Sequence, residues 1–369
     1  MKDKALFSKI RIVLVFLLIV AMTFFPKSLF FDPLPAVGAS SEDITVSGLS
    51  SGGFMAGQFQ VAFSSKVSGV GIFSAGPYLC AMGNLGSAVS KCSSSANDLK
   101  ESDIQDLVHE TNQLADSGKI DSPKFLKDHK VYIFHGEKDP TVKIEVAHKT
   151  QLFYELLGVN KGNINLKTIK DAGHAFPTEK FGNLCAADTE PPWMGACNYD
   201  GAYQMLSHLY EGIMPASKDL NAKGKLLAFN QTEFFDNSLN SMADKGYVYI
   251  PAGCQKERCK IHIFFHGCQQ GYGVVPQDRK NDMPEYDKPP YKKIGKTLVE
   301  NLGFNEIAEA NNIIVLYPQL KKSTIPFNPR SCWDFWGYVD NDDLKYATKN
   351  GEQLSTIYRM VKRLTESKK

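Results

Sequence analysis

The stretch that decides the fold is Gly48-Leu49-Ser50-Ser51-Gly52, a Gly-x-Ser-x-Gly sequence. A short alternating apolar run with Ile44 and Val46 precedes it, and apolar residues at helical spacing follow from Phe54 onward. Strand, Gly-x-Ser-x-Gly and helix in this order are typical of a serine on a strained turn, with its hydroxyl exposed as a nucleophile. The flanking glycines fit because side chains would clash in so tight a bend. The pattern predicts Ser50 as a nucleophile; the rival interpretation is a glycine-rich turn with a capping serine.

Two later loops offer the partners that a serine nucleophile needs. An apolar run at residues 131–134 ends in a polar loop with Asp139, and open α/β sheets place functional groups at such strand ends. An alternating run at 164–169 leads to His174, on a loop bracketed by glycine and proline. The order Ser, Asp, His is that of the α/β hydrolases, so we predict Asp139 as the acid and His174 as the base. The alternatives are a turn-forming aspartate, a structural histidine, and Asp171 as the acid.

One part of this fold is displaced to the end of the chain. Acyl transfer needs donors for the developing oxyanion, and in this fold one comes from a loop after an earlier strand, for which too few residues precede Ser50. An apolar run at 261–265 is followed by His266-Gly267-Cys268-Gln269-Gln270, a helical stretch at 298–310 and an apolar run at 313–318. The sequence therefore predicts a circularly permuted α/β hydrolase, with a mainly parallel central sheet flanked by helices. In it, His266 braces its own loop.

Four segments together resemble the polyhydroxybutyrate depolymerases, most closely their single-domain, circularly permuted kind. They are Gly48 to Gly53, Ala172 to Pro177, His266 to Gln270 and Cys332 to Tyr338. The resemblance spans nearly all of the chain after the leader and implies one catalytic domain at residues 40–369, with the oxyanion-loop strand supplied late, at about 261–318. It implies Ser50 as nucleophile, Asp139 as acid and His174 as base. It also implies an oxyanion hole made by the backbone N–H groups of Ser51 and Cys268.

The resemblance also implies the substrate. The aromatic mouth of the family, where polymer chains bind, corresponds to the segment with Trp333 and Trp336, although Phe335 stands where the family has a further tryptophan. We expect hydrolysis of poly(3-hydroxybutyrate) or its oligomers to short hydroxyacids through an acyl-enzyme, by a monomer that needs no cofactor. Two alternatives stay open: a secreted carboxylesterase of the feruloyl or acetyl-xylan type, and a non-catalytic binding module on a hydrolase scaffold.

The N-terminus predicts export. Basic residues precede an apolar stretch at 12–25 that is short for a membrane span, and small residues at 37–39 offer a cleavage site. We expect a signal peptide at 1–39, with an uncleaved anchor as the rival, and a secreted protein, periplasmic if the source is Gram-negative. Without the five basic and two acidic residues of this leader, 37 basic and 38 acidic residues remain. The net charge of −1 gives no argument for binding nucleic acid, and we expect no stable membrane association after cleavage.

Eight cysteines, all after the leader, agree with an oxidising compartment. Eight cysteines allow 105 pairings, but their spacing suggests Cys80 with Cys92, Cys185 with Cys197 and Cys254 with Cys259. Cys268 and Cys332 are then left to join the oxyanion loop to the tryptophan-rich loop. A zinc site is the rival interpretation; it is disfavoured because the spacing typical of zinc ligands is missing, and we predict no metal.

Overall fold

The computed structural model describes residues 31–94, 99–186, 190–216, 224–276, 293–340, 342 and 344–368. Within them the strands are β1 (Ile44–Leu49), β2 (Val67–Phe73), β3 (Lys130–Gly136), β4 (Ile164–Ile169), β5 (Phe176–Thr178), β6 (Asn183–Leu184), β7 (Met194–Ala196), β8 (Lys225–Asn230), β9 (Lys245–Ile250), β10 (Lys260–Phe265) and β11 (Ile313–Tyr317). The helices are α1 (Ser51–Ala62), α2 (Leu85–Val89), α3 (Glu101–Asp116), α4 (Ile144–Leu156), α5 (Gly201–Leu209), α6 (Thr297–Asn301), α7 (Phe304–Asn311) and α8 (Glu352–Thr365).

The main sheet has eight strands in the order β4-β3-β2-β1-β10-β11-β9-β8, and β5, β7 and β6 form a small second sheet. β9 runs antiparallel to both of its neighbours, while the other pairings of the main sheet are parallel. β10 lies directly beside β1, with Ser47 opposite Phe264. A strand from late in the chain therefore borders the strand that leads into the predicted nucleophile. The predicted α/β-hydrolase fold with a mainly parallel sheet is confirmed.

The centre of the sheet is covered on both faces, as parallel sheets require. All six residues of β1 and all twelve residues of α1 are buried. Side chains alternate between the two faces of a strand, so the neighbours Phe264 and Phe265 of β10 belong to different apolar clusters. The Ser50 turn therefore joins a fully buried strand to a fully buried helix, and its position is fixed by the core.

A buried polar network joins β1 to β10. The His262 ring, on β10, lies 2.8 Å through Nδ1 from Thr45 Oγ1 and 2.8 Å through Nε2 from Ser47 Oγ. Tyr210 extends the network, because its hydroxyl accepts a hydrogen bond from Thr45 Oγ1 and donates one to the carbonyl of Ile261. Buried polar groups need such partners, and these cross-strand bonds hold the late strand in register beside β1.

The helix predicted at 298–310 is divided in two. Gly303 has a φ of 87°, a left-handed conformation in which a helix cannot continue, and it separates α6 from α7. In the sequence, a glycine inside an apolar helical pattern is compatible with one continuous helix or with two separate helices. The strand-loop-helix-strand order is unaffected, since both helices lie between β10 and β11 in the chain.

The folded unit begins before Ser40, the boundary predicted from the leader. The N–H groups of Val37 and Ala39 donate hydrogen bonds to the carbonyl of Leu364, at the end of α8. Leu34 and Ala39 are each only 1% exposed and belong to the main apolar cluster. Residues 31–39 are therefore part of the packed structure, whereas the basic and apolar parts of the leader lie outside the described residues.

All eight cysteines form disulfides, in the three pairs that the spacing suggests and the fourth pair that remains. Three of the pairs close short loops of the chain. The fourth, Cys268 with Cys332, joins residues 64 positions apart and ties the loop after β10 to the tryptophan-rich loop. This bridge brings both loops to the same side of the Ser50 turn.

Candidate active site

Ser50 stands on a strained turn between β1 and α1. Its φ of 56° and ψ of −124° are unfavourable for a residue with a side chain. The turn is held by the Ser50 N–H, which donates to the carbonyl of Phe73 at 2.9 Å. A Cβ at Gly48 would lie 2.2 Å from the carbonyl oxygen of Gly52, and one at Gly52 would lie 2.1 Å from that of Phe265. Glycine is required at both positions for the chain to bend this sharply.

Asp139 follows β3 and is buried. Its Oδ2 accepts a hydrogen bond from His174 Nδ1 at 2.7 Å, and its Oδ1 accepts from the N–H groups of Thr141 and Val142 at 2.8 and 2.9 Å. Burial opposes ionisation of this carboxyl, but His174, the neighbouring His135 and the N–H donors outweigh it and hold its pKa below the ordinary value. Asp139 is therefore an anion that fixes the orientation of the His174 ring.

His174 presents its other nitrogen to the site. Because Nδ1 is engaged by Asp139, Nε2 is the atom left to exchange a proton, and His174 lines the same cavity as Ser50. The structure thus brings together the three residues predicted as nucleophile, acid and base. The rival acid, Asp171, is exposed and pairs with Lys138 at 2.7 Å. Asp171 makes no hydrogen bond to His174, and the geometry favours Asp139.

His135 has a structural part in the site that the sequence did not indicate. It ends the apolar run of β3, is fully buried, and lies 3.8 Å through Nε2 from Asp139 Oδ2. Its Nε2 donates to the carbonyl of Val142 at 2.8 Å, so it braces the turn whose N–H groups hold Asp139. Burial lowers its pKa, although the neighbouring Asp139 opposes this shift. A histidine at the end of a buried strand gives no pattern that distinguishes this role from ordinary packing.

The loop after β10 lies against the Ser50 turn. A Cβ at Gly267 would be 2.9 Å from Gln270 Oε1 and 3.3 Å from the carbonyl oxygen of Leu49, so glycine favours the close approach of the two loops. Cys268 and Ser51, the two residues predicted to provide oxyanion donors, both line the cavity that holds Ser50. The Cys268–Cys332 disulfide ties this loop to the tryptophan-rich loop.

The cavity has a volume of about 320 Å³ and its walls are largely apolar. Its aromatic wall is a stack: Phe54 lies on Phe335 with ring centroids 4.2 Å apart, and Phe335 meets Trp336 edge to face at 4.9 Å. Phe327, at the rim, is 70% exposed. Such a surface suits an apolar, water-insoluble ligand with few polar groups.

The two predicted substrate-binding tryptophans have different positions. Trp336 lines the cavity and is half-buried. Trp333 is 0% exposed and packs edge to face on Phe265, while its backbone N–H donates to Ser51 Oγ at 3.3 Å. Direct contact of substrate with Trp333 does not fit this position, because the ring is fully buried against β10.

The described residues contain neither a candidate metal site nor a helix able to span a membrane. Across their ranges, histidine, cysteine and acidic side chains form no cluster of three or more able to hold a metal ion. Among the helices that the structure describes, none combines the length and the apolar character needed to cross a membrane.

Comparison with known proteins adds independent findings. No protein-family model matches the chain. It is 37% identical over 336 residues to a poly(3-hydroxybutyrate) depolymerase of Delftia acidovorans, covering 90% of this chain and 61% of that protein. It is 31% identical over 348 residues to a polyhydroxybutyrate depolymerase of Talaromyces funiculosus, covering 90% of this chain and 92% of that protein.

Solved structures agree. The crystal structure of a PHB depolymerase from Penicillium funiculosum is similar with a TM-score of 0.74 and 28% identity, covering 90% of this chain and 98% of that one. A serine-to-alanine variant of a PHB depolymerase, solved in complex with an R3HB trimer, gives the same values. Similarity of this level over nearly the whole length of the Talaromyces funiculosus protein shows that the chain belongs to the polyhydroxybutyrate depolymerase family.

Proposed function

We propose that the chain hydrolyses the ester bonds of poly(3-hydroxybutyrate) or its oligomers and releases short hydroxyacids. The observation that carries the proposal is the strained Ser50, which shares an apolar cavity with a histidine hydrogen-bonded to a buried aspartate. The names of the relatives support the polyester substrate, since each is a depolymerase of this polymer. The chain spans 61% of the length of the Delftia acidovorans protein.

The first half of the reaction forms an acyl-enzyme. His174 Nε2 takes the proton of Ser50 as Oγ bonds to the ester carbonyl carbon, and the imidazolium is stabilised by the Asp139 anion. Backbone N–H groups of Ser51 and Cys268 receive the oxyanion of the tetrahedral intermediate. When the carbon–oxygen bond of the ester breaks, the alcohol end of the polymer leaves with the proton from His174.

The second half regenerates the enzyme. A water molecule gives a proton to His174 as its oxygen bonds to the acyl carbon, and the same N–H groups stabilise the second oxyanion. Collapse of this intermediate breaks the bond to Ser50 Oγ, which recovers the proton. The sum is one ester and one water converted into one acid and one alcohol, so the scheme consumes no other reactant.

Polymer contact is assigned to the exposed apolar rim of the cavity. Trp336 lies in the wall, and the rim carries Leu85, Val89 and Phe327, which are 52%, 59% and 70% exposed. Exposed aromatic rings provide a large apolar area at a small cost in side-chain entropy, which suits a water-insoluble chain. Trp333 contributes through the position of Ser51 instead.

Export is part of the proposal. Four disulfides and the basic, apolar N-terminus support an extracytoplasmic protein. Because Leu34 and Ala39 are buried in the main cluster, we place signal cleavage before Leu34 instead of at Ser40. The N-terminal residue of the secreted protein, read by mass spectrometry, tests this: a start at Ser40 would contradict it.

The substrate is tested with purified protein on poly(3-hydroxybutyrate) film, with feruloylated and acetylated xylan in parallel. Release of hydroxybutyrate and its short oligomers, detected by mass spectrometry, is expected. The control is a Ser50→Ala variant that retains the wild-type melting temperature, and it should release no hydroxybutyrate or oligomers. Rapid release of phenolic or acetic acid together with an intact film would refute the polyester assignment.

A further inference from the structure

We infer that His266 is a positioning residue of the oxyanion hole, which aims the Cys268 N–H by holding the carbonyl group of the same peptide unit. The inference rests on the proposed function, in which that N–H receives the oxyanion. His266 is the last buried side chain before the loop, only 2% exposed, and it has no part in the proton transfers described above.

The tautomer of His266 follows from its partners. The backbone N–H of Leu320 points at Nε2 across 3.1 Å, and since an N–H can only donate, Nε2 must be the unprotonated nitrogen. Nδ1 therefore carries the proton and donates it to the carbonyl of Gly267 at 2.7 Å. Burial lowers the pKa of His266 to about 4, so the ring stays neutral and this arrangement persists at neutral pH.

The hydrogen bond from His266 to the Gly267 carbonyl also fixes the direction of the Cys268 N–H. The C=O of Gly267 and the N–H of Cys268 belong to one planar unit and point in opposite directions. A carbonyl held by His266 therefore turns the Cys268 N–H to the opposite side. Among the backbone bonds of the described residues, the N–H of Cys268 has no acceptor, while Cys268 itself lines the cavity. An unpaired donor held in a fixed direction is what an oxyanion hole requires.

The peptide units on either side are also fixed. Gln270 accepts from the N–H of Gly267 at 2.5 Å and donates to the carbonyl of Pro192 at 2.8 Å. The N–H of Gln269 donates to the carbonyl of Arg330 at 2.6 Å. The N–H of Gln270 donates to the carbonyl of Gly267 at 3.2 Å. Among the N–H groups of residues 267–270, that of Cys268 is thus the one left for a substrate oxygen. His266 holds the peptide unit between Gly267 and Cys268, which lies between these fixed units.

Two amide variants separate the functions of the two ring nitrogens. In His266→Asn the side-chain amide can place an N–H where Nδ1 lies, so the bond to the Gly267 carbonyl can be kept. In His266→Gln the amide reaches the position of Nε2 and can serve Leu320, but the bond to Gly267 is lost. Both variants remove the same ring contact with Trp333, for which the centroids are 5.6 Å apart. Both variants therefore lose the same ring contact, and they differ in which of the two hydrogen bonds of His266 they can keep.

The test measures kcat and KM for a soluble ester, p-nitrophenyl butyrate, with active sites counted by organophosphate titration. We expect His266→Gln to lower kcat about 10²-fold with KM little changed, since a misdirected donor costs nearly as much as a lost one. His266→Asn should lose no more than about fivefold, well short of the loss of an oxyanion donor. Equal losses in the two variants, a loss confined to KM, or a His266→Gln enzyme with wild-type kcat would overturn the inference.

Two controls keep the test decisive. If His266→Gln does not fold, His266→Asn decides alone, because a fall of about 10² in its kcat would contradict the inference. Ser50→Ala separates this inference from the proposed function: an active Ser50→Ala enzyme would refute the function, whereas an inactive one with equal His266 variants would refute only the positioning role.

Discussion

Replacing Asp139 by asparagine tests the acid through the tautomer of His174. The two N–H groups of Thr141 and Val142 both point at Oδ1, at 2.8 and 2.9 Å, so the amide oxygen of the variant must take that place. Its NH₂ group then faces His174 Nδ1, which has to accept instead of donate. The proton of the ring moves to Nε2, and Nε2 can no longer remove the proton of Ser50.

The expected loss follows from this reversal. Ser-His-Asp enzymes with the wrong histidine tautomer lose about 10⁴-fold in kcat, or about 5 kcal/mol of transition-state stabilisation. The fold should persist, because both backbone bonds to the side chain are retained. Hydrolysis of p-nitrophenyl butyrate measures the loss and the melting temperature checks the fold. The matched control is Asp171→Asn, which removes only an exposed pair with Lys138 and should keep activity. A near-wild-type Asp139→Asn enzyme beside an inactive Asp171→Asn enzyme would refute the assignment.

Three further predictions concern the cavity, the bridge and acid stability. Trp336→Ala should slow degradation of polymer film at least about tenfold, while hydrolysis of a soluble ester stays within about threefold. Trp333→Ala should lower the melting temperature and both activities, because truncation of a buried tryptophan costs about 3–5 kcal/mol. Equal losses on both substrates for Trp336→Ala would place polymer contact elsewhere. Cys268→Ala and Cys332→Ala should be similarly impaired and the double variant no worse than either, while additive losses would contradict their pairing. Burial lowers the pKa of His262 to about 3, so the folded state keeps it neutral while the unfolded chain takes up a proton below about 6.5. The free energy of unfolding by urea should therefore fall as the pH drops from 6.5 towards 3, and His262→Gln should make this dependence shallower; an unchanged slope would show that the histidine does not titrate on unfolding.

The parts of the site that could be predicted lie where local sequence dictates geometry. The Ser50 turn needs glycine on both sides for steric reasons, and Gly48 and Gly52 stand there. Asp139 follows a buried strand, and the carboxyl ends of parallel strands meet at one edge of a sheet. The displaced strand β10 could be recognised because its apolar run and loop were intact in the sequence, and its place beside β1 confirmed the permuted fold.

The parts that could not be predicted depend on contacts between distant segments. Trp333 and Trp336 are three residues apart in an irregular loop, where no periodicity separates a buried ring from an exposed one. Their different positions arise because Trp333 packs on Phe265 of β10 while Trp336 faces the cavity. The role of His135 likewise depends on a carbonyl seven residues further along a turn. Leu34 likewise packs in a cluster with residues of the sheet and of α8, which are distant in the sequence.

The central claim is that Ser50 is the nucleophile that forms the acyl-enzyme. The most direct measurement is mass-spectrometric mapping of the residue modified when the enzyme is inactivated by a fluorophosphonate. Among the serines that the structure describes, only Ser50 combines a strained turn with a place in the cavity beside His174, so a single adduct on Ser50 is expected, with none in Ser50→Ala. An adduct on Ser51, or inactivation of the Ser50→Ala variant at the wild-type rate, would contradict the account.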